Sequence, residues 1–287
     1  MARKRIGAGT PGGHWGTREA AESWRSQTAA RAELLGTATD AMLDLAGVRP
    51  GDRVLDIAAG TGDQTLLAAR RVGPTGAVLA TDIAASMLDV AAAAARQEGL
   101  TNVTTRVLDA QRLDLAPASF DAVIARFGLM FLPDLHDALV GIRRVLRPGG
   151  KLAALVWSTP ERNPAFARPV AIARRCAGWP PSAAEGPGVF ALGRPGTLEA
   201  AYREADFREV TVRAIPLRFR SPSTAAYVRD RRESPGPLRE VLDYLDEADQ
   251  ARIWAAIERD LRQFEGPAGF EAPGEALLGV GTRGIDS

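Results

Sequence analysis

The stretch VLDIAAGTGD, residues 54–63, sets two carboxylates, Asp56 and Asp63, on either side of a pair of glycines. A glycine-rich turn between a strand and a helix lets a ligand lie against the backbone, with the N–H groups of the helix start pointing at it. Dinucleotides place a pyrophosphate there. The run Gly60-Thr61-Gly62-Asp63-Gln64-Thr65, however, lacks the third glycine of the dinucleotide fingerprint. It also puts Asp63 where the pyrophosphate would lie, with Asp56 just below. Two carboxylates repel phosphate and attract cations. S-adenosylmethionine has the charge that suits such a loop: a sulfonium, an ammonium and no phosphate. Asp82 ends the next apolar run about twenty positions beyond Gly60, where a doubly wound nucleotide fold keeps the acid that holds ribose hydroxyls. Capping the helix that follows is its plainer use. Asp109, ending a third run in LDAQ, is placed to accept a bond from an adenine amino group, or else to cap its own loop.

The elements that must hold these residues alternate in type. RVLDIAA (53–59) reads as a short buried strand, followed by a helix over 63–72 that stops at GPTG. AVLATD (77–82) is a second strand, and an alanine-rich helix over 85–97 ends near Gly99. VTTRVLD (103–109) and FDAVIARF (120–127) are further strands; a helix over 134–146 follows, and PGG (148–150) turns into the strand KLAALVW. Unbroken apolar runs alternating with helices specify a parallel sheet covered on both faces. Ahead of this core, residues 14–47 place Trp24, Leu34, Leu35, Ala38, Met42, Leu43 and Leu45 at the spacing of two helices, with Gly47 as the stop. After Trp157 the chain becomes proline-rich over 158–195, with one helix over 165–177. A helix over 195–205 leads to the strand REVTVRAIPLRF, and LLGVGTR (277–283) forms a last strand. Between these two strands, Val241, Leu242, Leu245, Ile253, Trp254, Ile257, Leu261 and Phe264 lie at helical spacing, as core or cap packing.

A chain of 287 residues that is 46% apolar can bury a full core. Its 36 basic and 35 acidic side chains nearly cancel, so no global field draws it to nucleic acid or to an anionic membrane. No apolar run approaches the ~20 residues of a membrane span. MARKRIGAGTPGG has basic residues but no apolar segment, and reads as a disordered tail over 1–13 rather than a secretory signal. Cys176 is the single cysteine, which excludes an internal disulfide and a multi-thiolate metal site and suits a reducing cytoplasm. No metal is expected.

The segments VLDIAAGTGD, VLATD, VLDAQRLDLAPASFDAVIARFGLMFLPD and RRVLRPGGKL, spread over residues 50–157, resemble class I S-adenosylmethionine-dependent methyltransferases. The pairing of AAGTGD with RVLRPGG is similar to the ubiquinone and menaquinone biosynthesis C-methyltransferases and their small-molecule relatives. The resemblance implies a doubly wound, seven-stranded, mostly parallel α/β sheet with helical cap insertions: five parallel strands and a terminal antiparallel hairpin. It implies lid helices over 14–47, a cofactor-binding core over 48–157, and a remainder over 158–287 carrying cap insertions at 158–195 and 221–272. It places Asp56, Gly60 and Gly62 at the methionine moiety, Asp82 at the ribose, and Asp109 with Ala110 at the adenine. Ala58, Asp63, Ile83 and Met87 complete the set, and Arg126 lines the floor below the sulfonium through its backbone.

The acceptor is expected to be a small organic molecule methylated on O, N or C. RFGLMF stands where nucleic-acid amino-methyltransferases carry an Asn/Asp-Pro-Pro-aromatic motif, and the paired glutamates of protein arginine enzymes are absent there. Phe127, Leu129, Met130, Phe131 and Leu132 read as an apolar pocket wall or as plain packing. Of the two histidines, His14 in the lid is the candidate general base, and His136 is expected on the surface. A protein that binds S-adenosylmethionine without transferring its methyl group, as a cyclase, decarboxylase or regulatory partner, is the alternative.

Overall fold

The computed structural model describes residues 16–180, 186–232, 234 and 236–285. The tail over 1–13 and His14 lie outside the described residues. Strands β1 (Arg53–Ile57), β2 (Ala77–Asp82), β3 (Val103–Val107), β4 (Phe120–Arg126) and β5 (Leu146–Trp157) pair in parallel in the order β3-β2-β1-β4-β5. Strand β6 (Phe207–Ser221), the two-residue β7 (Glu265–Gly266) and β8 (Gly269–Arg283) complete the sheet, with β8 inserted antiparallel between β5 and β6. Strand β6 therefore runs in the direction of β1. The outgoing ends of β1, β4, β5 and β6 all open on one edge, where an open α/β sheet binds its ligands.

Both faces are covered, as the unbroken apolar runs require. The helices are α1 (Arg18–Ser26), α2 (Thr28–Leu45), α3 (Asp63–Val72), α4 (Ala85–Gln97), α5 (Leu135–Val145), α6 (Pro164–Cys176), α7 (Thr197–Glu204), α8 (Thr224–Arg232), α9 (Pro237–Leu242) and α10 (Glu247–Leu261). Successive residues of β1 point to opposite sides. Val54 joins Met42, Leu43, Ala69 and Val72 of α2 and α3, and Leu55 joins Leu139, Ile142 and Tyr202 of α5 and α7. Trp254, Ile257 and Leu261 of α10 bury against Ile172 of α6, Tyr227 of α8 and Phe270 of β8, forming the core of a separate cap. No helix among the described residues is long and apolar enough to cross a membrane.

Three expectations are revised. The terminal hairpin is longer than the sequence suggests: β6 and β8 stay paired from Phe207–Arg283 out to Ser221–Phe270, so the insertion beyond β6 is confined to 222–268. The stretch GFEAPGEA looks like a loop, but β6 supplies a complete ladder for it, and Pro216 is tolerated because β6 is the sheet edge. Strand β3 stops at Val107, so Asp109 lies in the turn beyond it rather than at its end. Helix α2 is more than a lid, since Leu35, Ala38, Met42 and Leu43 are buried against the sheet. Of the two N-terminal helices, only α1 stands apart from that core.

Two glycines separate conformational cost from spatial need. Gly36 sits inside α2, and a Cβ there would meet nothing within 4 Å. Gly62, at φ 90°, has Ala91 of α4 so close that a Cβ would lie 2.8 Å from its Cβ. Gly36→Ala is expected to stabilise the protein by about 0.5–1 kcal/mol through lower unfolded-chain entropy. Gly62→Ala is expected to destabilise it by about 2–4 kcal/mol through strain and overpacking. Denaturant midpoints of the two variants check both signs.

Candidate functional site

The carboxyl ends of β1 and β4 meet at a strained junction. Ala58, just after β1, and Phe127, just after β4, both adopt positive φ, at 54° and 59°. Gly128 is pressed so closely on Ala58 that a Cβ would stand 2.4 Å from the alanine's. Non-glycine residues rarely take these conformations, and where they do the strain clusters at functional positions. Beyond the junction the chain makes the glycine turn, with Gly60 at φ 57° and Gly62 at φ 90°, and enters α3 at Asp63.

Asp82 pins this turn. Its Oδ2 accepts from the Gly60 N–H at 2.9 Å and its Oδ1 from the Ala84 N–H at 2.9 Å. One carboxylate thus joins the loop after β1 to the loop after β2, with one bond accepted on each oxygen and lone pairs left on both. Burial raises its pKa, against the backbone N–H bonds of Ala84, Gly60 and Ile83. The plainer reading as a helix cap holds in part, because the Ala84 bond shapes the entry to α4. Further along the edge, Asp109 Oδ1 accepts from the Gln111 N–H at 2.9 Å. Ile83 and Val107, 52% and 53% exposed, flank the span between the two acids with open apolar surface. Gly60, Asp82, Ile83, Asp109 and Ala110 are therefore brought to one edge, as the motif spacing requires.

Three of the expected site residues are placed differently from the motif reading. Asp56 does not face the crevice: it is fully buried, with Oδ1 taken by Gln64 Nε2 at 3.1 Å and Oδ2 by Thr65 Oγ1 at 2.5 Å. It fastens the first turn of α3 from below. Burial, outweighing those hydrogen bonds and the charge of Arg126, pushes its pKa from 3.8 up to about 7. Asp63 is not a free charge for a cation. Arg31 of α2 binds it at 2.8 Å and Arg126 of β4 at 3.1 Å, with Thr28 Oγ1 donating at 3.3 Å. Burial alone would raise its pKa, but Arg31, then Arg126, holds it below the usual carboxylate range. The Arg126 side chain, for which only a backbone contact was expected, is engaged at the junction: the guanidinium is buried and donates to Asp63 and to Thr39 Oγ1, both at 3.1 Å. Burial lowers its pKa, and Asp63 opposes that.

Arg31 was invisible to a motif reading. It occupies the buried stripe Arg31, Leu35, Ala38, Thr39, Met42 of α2, and a charge at such a position demands a buried partner. That demand was the available signal. Its guanidinium also lies 4.4 Å over the ring of Trp24 and donates to the Trp24 carbonyl. Trp24 in turn packs with Ala20, Ala21, Ala84 and Met87, so Met87 sits beneath α1 rather than on an open wall. On the other side of the junction, Phe127 stacks on Trp157 at 4.4 Å, and Trp157 on Phe166 at 5.7 Å and Phe219 at 6.0 Å. Phe127 is thus part of an aromatic wall reaching into the cap. Leu129 and Met130 are packing, buried to 1% and 3% exposure, while Phe131 is exposed, as is His136 on α5.

The displaced pKa of Asp56 sets a pH dependence. Between the unfolded value of 3.8 and about 7, the unfolded chain releases this proton while the folded chain keeps it, so stability from this group is lost as pH rises through that window. Asp56→Asn keeps the shape and removes the titration. The variant is expected to gain about 2–4 kcal/mol relative to wild type on moving from pH 4 to pH 8, since one unit is 1.36 kcal/mol. Parallel stability-versus-pH curves for the two proteins would contradict the buried acid.

Comparison with known proteins agrees with this architecture. Residues 37–170 match the model of the ubiE/COQ5 methyltransferase family. The ubiquinone/menaquinone biosynthesis C-methyltransferase UbiE of Teredinibacter turnerae is 46% identical over 122 residues, which are 42% of this chain and 49% of that protein. The chain therefore spans about half the length of the curated relatives it matches. Among solved structures, an S-adenosylmethionine-dependent methyltransferase from Aquifex aeolicus superposes with a TM-score of 0.52 at 20% identity, covering 69% of this chain and 92% of that one. The [4+2]-cyclase SpnF superposes with a TM-score of 0.54 at 22% identity, covering 87% of this chain and 82% of that one. Residues 37–170 are thus similar to the ubiE/COQ5 methyltransferase family, and the fold is the Rossmann-like one shared with these solved structures.

Proposed function

We propose that the chain binds S-adenosylmethionine at the crevice between β1 and β4 and transfers its methyl group to a small organic acceptor held under the cap. The observation that carries this reading is the Asp82 carboxylate, which fixes the Gly60 backbone at 2.9 Å while facing the edge where an open sheet takes its ligand. In this reading Asp82 accepts from the ribose hydroxyls, Ile83 and Val107 flank the adenine, and Asp109 accepts from its amino group. The charge balance around Asp63 supports a different contact from the one the motif suggests. Two guanidiniums face one ionised carboxylate, while Asp56 holds its proton up to about pH 7. The surplus is positive, and it complements the carboxylate of the methionine moiety.

When bound, the cofactor supplies an electrophilic methyl on a sulfonium leaving group. The chain's part is alignment, which can contribute ~7–11 kcal/mol where a near-attack geometry is held. Phe127, with its strained backbone, places the aromatic wall of Trp157, Phe166 and Phe219 against the β1–β4 junction, between the cofactor crevice and the cap. That wall favours an apolar acceptor enclosed from water. The cap beyond β6 lies outside the segment matched to the ubiE/COQ5 family, so the acceptor of those relatives does not carry over. His14 remains the proposed general base for acceptors that hold their proton. A role without methyl transfer stays the second reading, favoured by a [4+2]-cyclase sharing this fold.

Incubation with unlabelled S-adenosylmethionine and a panel of apolar phenols, amines and enols is expected to yield one product about 14 mass units heavier, the mass of a CH₂, as the in-line displacement requires. Binding without transfer across such a panel would favour the second reading. Asp82→Ala is expected to weaken S-adenosylhomocysteine binding by about 1.5–3 kcal/mol, the worth of hydrogen bonds to a charged group. Calorimetry showing wild-type affinity in that variant, or tighter binding of NAD than of S-adenosylhomocysteine, would reject the assignment.

A further inference from the structure

The face of the glycine turn that the proposed cofactor needs is covered by the chain itself. A Cβ built on Gly60 would lie 3.7 Å from the Trp24 Nε1, and Ala84 and Met87, on the same side, are 4% and 3% exposed beneath α1. We propose that α1 is an autoinhibitory plug, with the Trp24 side chain seated where the cofactor must lie, and that loading the cofactor displaces it. The inference rests on the cofactor reading given above.

The contacts holding α1 are those of a removable element. It buries only Ala20 and Ala21, and a cleft lined by Arg18, Glu22, Arg25, Ser86 and Asp89 runs between it and α4. Its start is tied down by Ser86 Oγ, which donates to the Gly16 and Thr17 carbonyls at 3.2 and 3.3 Å. Elements with so few buried apolar contacts open at low cost. Helix α2 stays in place, because its buried face belongs to the sheet core. The hinge is Gln27, the one non-helical residue between the two helices. Arg31 stands just beyond the hinge and spends its guanidinium on the Trp24 carbonyl, the Trp24 ring and Asp63. Withdrawal of Trp24 frees part of that guanidinium for the incoming carboxylate, so the group that holds the plug is the one that receives the ligand.

The hinge also reaches the cap. Gln27 Nε2 donates to Ser234 Oγ at 2.9 Å, and Ser234 Oγ donates to the Asp230 carbonyl of α8 at 3.0 Å. Swinging α1 out therefore disturbs the bond that fastens the N-terminal helices to the cap over the aromatic wall, which links cofactor loading to acceptor access.

A plug lowers apparent affinity by the fraction of molecules in which it is open. Trp24→Ala is expected to bind S-adenosylhomocysteine at least tenfold more tightly than wild type in calorimetry, about 1.4 kcal/mol. Ala21→Glu, which unseats α1 from α4 while keeping the Trp24 indole, is expected to shift affinity in the same direction. In wild type, adding S-adenosylhomocysteine is expected to speed amide exchange over residues 18–26. Equal or weaker binding by Trp24→Ala, or slower exchange in α1 on loading, would overturn the plug and make Trp24 a wall of the site, leaving the cofactor reading intact. Absence of binding by wild type and both variants would overturn the cofactor reading, and the plug with it.

Discussion

The Asp63 carboxylate is held against two guanidiniums from different parts of the chain, Arg31 on α2 and Arg126 at the end of β4. Those three elements meet at no other polar cluster of comparable burial among the described residues. An acid 12% exposed and two arginines 9% and 7% exposed persist together because each satisfies the others. The ion pair fixes where α2 lies relative to the glycine turn, and α2 in turn fixes the hinge at Gln27 and the reach of α1. It also inverts the local charge. The motif offers two acids to a ligand, whereas the folded site offers a positive surplus on one side and the Asp82 carboxylate on the other.

That division fits a zwitterionic, nucleoside-bearing ligand laid across the edge of the sheet. In the proposed reading Asp82 and Asp109 would meet the end rich in hydroxyls and amines, and the arginine pair the carboxylate end. The strain at Ala58 and Phe127 lies between them, at the ends of adjacent strands, where the reacting centre would be. The aromatic wall starts at the same residue, Phe127, so in the proposed reading one backbone distortion would position both the floor of the cofactor crevice and the near side of the acceptor space.

Much of the sheet was legible because parallel strands buried on both faces read as apolar runs, and the helices over 63–72, 85–97 and 134–146 are each followed by glycine or proline. What escaped were pairings and partners. The first half of β8 is Gly-, Pro- and Glu-rich, and only its ladder with β6 makes it a strand. The place of Asp82 followed from spacing, because loop geometry at a sheet edge is local. The fates of Asp56, Asp63 and Arg126 did not, because each depends on a side chain distant in sequence or buried beneath the loop. Arg31 announced itself only as a charge in an apolar stripe, and Trp24 as an aromatic at helical spacing, with nothing to say that it would stand over Gly60.

Ultraviolet cross-linking of methyl-labelled S-adenosylmethionine followed by peptide mapping reads directly where the cofactor binds. Label is expected in the peptide containing residues 54–63, and in that containing 126–131 next to it. Label confined to the cap helices, or absent from both peptides in a protein that retains the cofactor, would contradict the assignment of the β1–β4 crevice.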